Sequence, residues 1–485
     1  MERKNAWMTY TQEDLRKLED LSCRYRDFLD HGKTERECTA TAEQLARSCG
    51  YRSLQEVMES GQKLKAGDKV YAINMHKSIV LFRMGTRPLE DGMRILGAHI
   101  DSPRLDLKQN PLYEDTQMAY LDTHYYGGVK KYQWVTIPLA MHGVAVKKDG
   151  TVLEVCIGEE ESDPILCITD LLIHLSADQM QKKASVVVEG ENLDVLVGSR
   201  IETAGEAEPQ SLQAGEEGPQ GDRADAAEEA AKKASAAAGI RRILQEKYGI
   251  EEEDFLSAEF EIVPAGRARD CGLDRSMIAA YGQDDRVCAY TSLAAMLEVE
   301  EAEYTGCTLL VDKEEIGSVG ATGMRSRFFE NTVAELMNLT EEGFSELKLR
   351  RALGRCRMLS SDVSAAYDPL YASVFDKKNS AFFGRGLVFN KYTGSRGKNS
   401  SNDANAEYMA WLRKVMEEGG VNFQTAELGK VDVGGGGTIA YITALYGMDV
   451  IDSGVAVLSM HAPLEITSKA DLYEAEKGYE VFLKA

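Results

Sequence analysis

Five stretches of this 485-residue sequence end an apolar run on an ionisable side chain. His99 and Asp101 close MRILGAHIDSP, two residues apart and therefore on one face of a strand. Asp284 and Asp285 follow AAYGQ and open a helical segment; Glu314 and Glu315 follow CTLLVDK; Asp362 follows MLSS; His461 follows VAVLSM. Each has an ordinary explanation when taken alone: an acid at a helix start caps it, and a strand-end histidine marks a boundary. Repeated along the chain, with two histidines and several carboxylates, the pattern reads as a metal centre. Mixed His/carboxylate ligation suits zinc, with manganese and cobalt as substitutes. One carboxylate shared between two ions, plus a histidine and a carboxylate for each, makes a two-metal site suited to amide hydrolysis. Of two adjacent glutamates, one can ligate while its neighbour moves a proton.

The elements that must position these residues follow from hydrophobic patterning. Residues 9–60 read as helices, opened by a capping box at Thr11-Gln12-Glu13-Asp14 with Leu15, Leu18, Leu21 and Tyr25 at helical spacing. A hairpin is expected over 69–85 and a strand over 93–103. Between about 104 and 268 the texture is mainly β. Alternating runs flank Asp149-Gly150, further strands are expected at 184–199 and 257–265, and a polar, acidic loop at 204–222 precedes a helix-prone stretch to 248. From 270 onward strands and helices alternate, with helices at 285–302, 404–420 and 468–483 and strands at 306–318, 356–364 and 454–463. This predicts an α/β domain with a mixed central sheet flanked by helices, formed by 1–103 and 269–485 and interrupted by a β-rich insertion at 104–268. VDVGGGGTIA (431–440) has the glycines of a phosphate cradle but no following Lys-Ser/Thr, and reads as close backbone approach at a strand-to-helix turn.

Composition narrows the function classes. The formal net charge of −23, without a basic cluster, disfavours nucleic acid and anionic membranes as partners. No apolar run reaches a membrane-spanning length, and the N-terminus is charged from its second residue with no apolar signal region. Nine singly placed cysteines, none in a CxxC pair, read as reduced thiols, so a cytoplasmic location is expected. GxSxG, GxxxxGK[ST] and HExxH are all missing.

The segments GAHIDSPRLDLK (97–108), GQDDRVCAYTSL (282–293), DKEEIGSVGATG (312–323), MLSSDVSAAYDP (358–369) and VAVLSMHAPLEI (455–466) resemble, in order and spacing, the aspartyl aminopeptidase family of dinuclear zinc metallopeptidases, its bacterial members in particular. The resemblance implies His99, Asp284, Glu315, Asp362 and His461 as ligands of two divalent ions, Asp284 bridging. It implies Glu314 as general base and Asp101 as the carboxylate that orients His99. His174, in the apolar stretch ILCITDLLIHLSAD (165–178), matches a histidine that the family inserts into a neighbouring subunit's active site; otherwise it is a core or interface residue of an apolar helix. The insertion would then be a dimerisation domain, the assembly a tetrahedral homododecamer, and the substrates peptides.

Two departures bear on substrate. Asp362-Val363-Ser364-Ala365 leads to Asp368-Pro369, where many relatives carry further histidines. Asn390 and Lys391 occupy the substrate-binding place at which relatives selective for acidic residues end a segment on lysine. Adjacent strand residues face opposite ways, so Lys391 does not simply replace that lysine; Arg396 and Lys398 are the other nearby cations. Neutral N-terminal residues therefore stand beside acidic ones as candidate substrates. The competing functions are a related two-metal deacylase or peptide hydrolase, and a non-catalytic assembly shell that retains the fold.

Overall fold

The computed structural model describes residues 4–203, 234–340 and 344–485. The expected loop at 204–222 and the first part of the helix expected after it lie outside the described residues. Contacts divide the chain into two units, Met1–Pro103 with Arg267–Ala485, and Arg104–Gly266.

The first unit is built on a nine-stranded sheet. Its order is Arg52–Ser53, Lys69–Asn74, Ser78–Arg83, Thr305–Val311, Met93–His99, Arg357–Ser361, Asp449–Gly454, Leu387–Asn390 and Phe423–Thr425. The four strands from Thr305–Val311 to Asp449–Gly454 run parallel, and the hairpin predicted over 69–85 pairs antiparallel at one side. Parallel strands must be covered on both faces, which is why MRILGAH and TGCTLLV are buried along their whole length. Leu96 and Leu359 pack on one face with Leu293 and Tyr479 of the helices Gln283–Glu298 and Lys469–Lys484. Ile95 and Met358 pack on the other with Val333 and Leu336 of the helix Phe328–Thr340. Register then aligns the strand ends: Val311 lies opposite His99, and Ser361 opposite Ser453. The helix Gln12–His31 begins with the capping box read from its spacing, Thr11 and Asp14 bonding reciprocally.

Four local expectations change. The stretch 454–463 is not one strand: Asp449–Gly454 belongs to the main sheet, and Ala456–Leu458 to a separate five-stranded sheet. Of 184–199 only Val195–Gly198 is a strand. The apolar stretch 165–178 is not a helix. Leu166 and Cys167 bridge to Leu139 and Leu196, and Ile173–Leu175 is a single 3-10 turn. The strand Phe423–Thr425 ends well short of the glycine run, which leads into one short helical turn, Ala440–Thr443, so the link is a loop and not a tight strand-to-helix turn. Close approach is nevertheless real there: a Cβ on Gly434 would lie 1.8 Å from the Leu428 carbonyl oxygen.

The second unit is a six-stranded antiparallel sheet ordered Val152–Ile157, Leu139–Val146, Ala258–Pro264, Arg104–Asp115, Met118–Tyr126 and Val195–Gly198, with the helix Ala236–Tyr248. Its first hairpin turns at Asp149-Gly150, with Gly150 at φ 89°, as the sequence pattern requires. Among the described residues no helix is long and apolar enough to cross a membrane, and all nine cysteines are free thiols.

Gly454 links this packing to the strand ends. A Cβ there would meet the Asp362 carbonyl oxygen at 1.8 Å, and that contact is backbone on both sides. Gly454→Ala is therefore expected to lower stability in a urea titration by at least ~1–3 kcal/mol. An unchanged unfolding midpoint would show that the strand end tolerates displacement.

Candidate metal centre

His99 is the last residue of a central strand, and Asp362 directly follows its neighbour Arg357–Ser361. Glu314 and Glu315 lie in the 3-10 turn three residues past Thr305–Val311. Asp284 sits in the opening turn of the helix Gln283–Glu298, where it and Asp285 have non-helical backbone angles. His461 comes from the loop between Ala456–Leu458 and Glu465–Ser468 of the five-stranded sheet, at φ 64°. These six residues line one cavity of about 410 Å³, together with Asn390 and the glycines Gly435–Gly437.

Asp284 faces both histidines. Asp284 Oδ1 lies 3.3 Å from His99 Nε2, and its Oδ2 lies 3.2 Å from His461 Nε2. Asp362 Oδ1 is 3.8 Å from the same His99 nitrogen, and Glu315 Oε2 is 3.5 Å from that of His461. One carboxylate thus faces two imidazoles, each of which has a second carboxylate beside it. Ligand atoms of His99, Asp284 and Glu315 can converge on one point, and so can those of His99, Asp285 and Asp362. Asp285, given no ligand role by the sequence reading, is fully buried and accepts the His99 backbone N–H at 3.3 Å.

The residues behind the ligands hold them in place. Asp101 takes the backbone N–H of Glu314 on Oδ1 at 3.1 Å and that of Glu315 on Oδ2 at 3.2 Å. Its Oδ1 also lies 3.4 Å from His99 Nδ1, so it orients the imidazole and both glutamates together. Glu465 does the same on the other side, accepting the Asp284 N–H at 3.0 Å and the His461 N–H at 2.7 Å. Glu465 was missed in the sequence; the signal was an acid on a short apolar strand four residues past a histidine, and it is 1% exposed.

Electrostatics mark the cluster as unbalanced. Burial pushes the Glu315 carboxyl well up, and the charge on Asp284 adds to it. Burial, then Asp362, pushes Glu314 up to about 8. Burial also raises Asp452, behind the cavity, to about 7, the Asp362 charge adding to the shift. At Asp284 burial acts in the same direction, but hydrogen bonding to His461 and His99 outweighs it and holds the carboxyl low. His99 is raised: burial opposes its charge, and Asp101, Asp284 and Asp362 overcome that. Asp284 Oδ1, Asp285 Oδ1 and Glu315 Oε1 are buried without a hydrogen bond, and among the described residues no lysine or arginine lines the cavity. Buried carboxylate oxygens need a counter-charge. A His/carboxylate set with free oxygens fits zinc.

Two predicted substrate-side residues are not brought to this cavity. Lys391 is exposed and turns to Asp403, 3.5 Å away, because its neighbour Asn390 takes the inward face of the strand. His174 lies in the second unit, exposed on its 3-10 turn among exposed Leu172, Ile173 and Leu175. Lys398 pairs with Asp403 at 2.9 Å, and the Arg396 side chain lies outside the described residues.

Comparison with known proteins agrees with this geometry. Residues 28–483 match the family described as Aminopeptidase I zinc metalloprotease (M18). A probable M18 family aminopeptidase 1 of Clostridium acetobutylicum is 57% identical, over 99% of this chain and 98% of its own. The crystal structure of aminopeptidase I from that organism superposes with a TM-score of 0.87 at 55% identity, covering 100% of both chains. The M18 aminopeptidase of Thermotoga maritima superposes at 0.88 with 42% identity, over 100% of this chain and 99% of its own. A dodecamer of the yeast protein mApe1, 19% identical, shares the fold at 0.74 over 96% of this chain and 97% of its own. The chain belongs to the M18, or aspartyl aminopeptidase, family of zinc metalloproteases, and is an aminopeptidase of that family.

Proposed function

We propose that the chain removes N-terminal residues from peptides at a two-ion centre in which Asp284 bridges. His99 and Asp362 serve one ion, and His461 and Glu315 the other. The observation that carries this reading is the placement of the two Asp284 oxygens against two different histidines, at 3.3 and 3.2 Å. Zinc is the expected metal, with manganese or cobalt able to replace it. When bound, the ions supply Lewis acidity to the scissile carbonyl and to the attacking water.

The protein groups do the rest. Glu314, whose backbone N–H is held by Asp101, would take a proton from the water and deliver it to the leaving amine. Asp101 fixes the Glu314 backbone and the His99 ring at once, which keeps base and ligand in register. Carboxylates around the cavity also offer partners to the substrate's free α-ammonium group. His174 is proposed to enter the cavity of a neighbouring subunit and bind substrate there. Its exposure, and that of the apolar residues flanking it, are what a subunit contact would cover. The β-rich unit would then dimerise, and dimers would build a tetrahedral dodecamer in the cytoplasm.

Glu314→Gln is expected to keep bound metal while kcat on short peptides falls by about 10²–10⁴. Near-normal turnover in that variant would remove the base assignment. For His174, the informative comparison is His174→Ala with assembly followed by light scattering. A loss of turnover of at least tenfold in an intact, metal-loaded oligomer is expected for a group touching substrate. Unaltered kinetics there would return it to a structural role. A chelator should abolish peptide cleavage, and zinc, manganese or cobalt should restore it.

A further inference from the structure

The cavity has an acidic group beneath it that takes no part in the chemistry above. Asn390 and Thr438 both line the cavity, and both neighbour Asp452, Thr438 by a hydrogen bond and Asn390 across the strand pair. The Thr438 hydroxyl donates to Asp452 Oδ1. Asn390 is the direct cross-strand partner of Asp452, so the two side chains leave the same face of the sheet. Asn390 Nδ2 is occupied by Ser364 Oγ at 3.0 Å. Asp452 is 2% exposed, and its Oδ2 is buried without a hydrogen bond.

Among the described residues that line the cavity, no lysine or arginine offsets this carboxylate. Lys391 and Lys398, which follow Asn390 in sequence, pair with Asp403 instead. The rest of the wall is Val363, Leu428 and Met460, the hydroxyl side chains of Ser318, Thr393 and Tyr441, and glycine backbone. An uncharged side chain entering here meets apolar, hydroxyl and amide groups. A carboxylate entering here approaches the buried Asp452 carboxylate beyond Asn390 and Thr438, and between buried groups charge repulsion exceeds its value in bulk water.

Resting on the aminopeptidase reading of the metal centre, we propose that Asp452 is a specificity-determining residue: its buried carboxylate disfavours N-terminal Asp and Glu and leaves the cavity to uncharged side chains. Specificity of this kind is a difference between competing substrates, and a repulsive element sets it as effectively as an attractive one.

The test compares kcat/KM for Gln- against Glu-peptides, and Asn- against Asp-peptides, on zinc-loaded enzyme at about pH 8.5, where a carboxyl raised by burial is ionised. Each pair differs in charge and hardly in shape. The neutral member should be favoured by roughly tenfold or more, and Asp452→Asn should narrow the gap at least about threefold by raising the acidic member. Asn390→Lys sets a cation against the same carboxylate and should narrow the gap as well, which keeps the test alive if Asp452→Asn does not fold. Equal rates on Gln- and Glu-peptides in the unaltered enzyme would overturn the proposal, as would a gap that neither variant moves. Absence of turnover on every free-amine peptide would instead overturn the aminopeptidase reading on which it rests.

Discussion

Negative charge gathered in one place, with histidines but no lysine or arginine among the described residues lining it, is the constraint on which this molecule turns. Asp284, Asp285, Glu314, Glu315 and Asp362 surround two histidines in or beside a single cavity, and three of their buried oxygens make no hydrogen bond. Such a cluster opposes folding unless something cationic completes it. The raised carboxyls of Glu314 and Glu315 express the same imbalance. The free energy of ion binding is thus coupled to that of folding.

The architecture serves that constraint. Parallel strands in register carry His99, the Glu314–Glu315 turn and Asp362 to the C-terminal ends of the sheet's central strands. Core on both faces makes those strands rigid. A second, smaller sheet supplies His461 from a loop that the main sheet could not reach. Two buried acids then act as clamps. Asp101 ties His99 to both glutamates, and Glu465 ties Asp284 to His461. Each clamp holds backbone N–H groups, so the ligands are fixed through the main chain and their own oxygens stay free.

Much of this was legible in the sequence, because strand ends announce themselves. An apolar run followed by an ionisable residue identified His99, Asp284, Glu314, Glu315, Asp362 and His461, and all six line one cavity. The capping box at Thr11 and the turn at Asp149-Gly150 were equally plain, since both depend on neighbours in sequence. Glu465, Asp452 and the carboxylate of Asp285 were not legible in this sense. Their roles come from contacts made across the fold, such as Asp452 with Thr438 and Asn390, and no local pattern encodes those. The segment around His174 failed differently. Its apolar residues mimic a helix, but bridges at Leu166 and Cys167 draw its start into β pairing and leave the rest exposed. Periodicity could not tell apolar side chains meant for a core from ones left on a surface.

Asp284 is the hinge of the account, so the most direct test is metal stoichiometry at that residue. Inductively coupled plasma mass spectrometry on purified, zinc-equilibrated protein should find two ions per chain, and Asp284→Asn should lose both together because one carboxylate serves both. A single ion in the unaltered protein, or an Asp284→Asn variant that still binds two, would contradict the bridged centre.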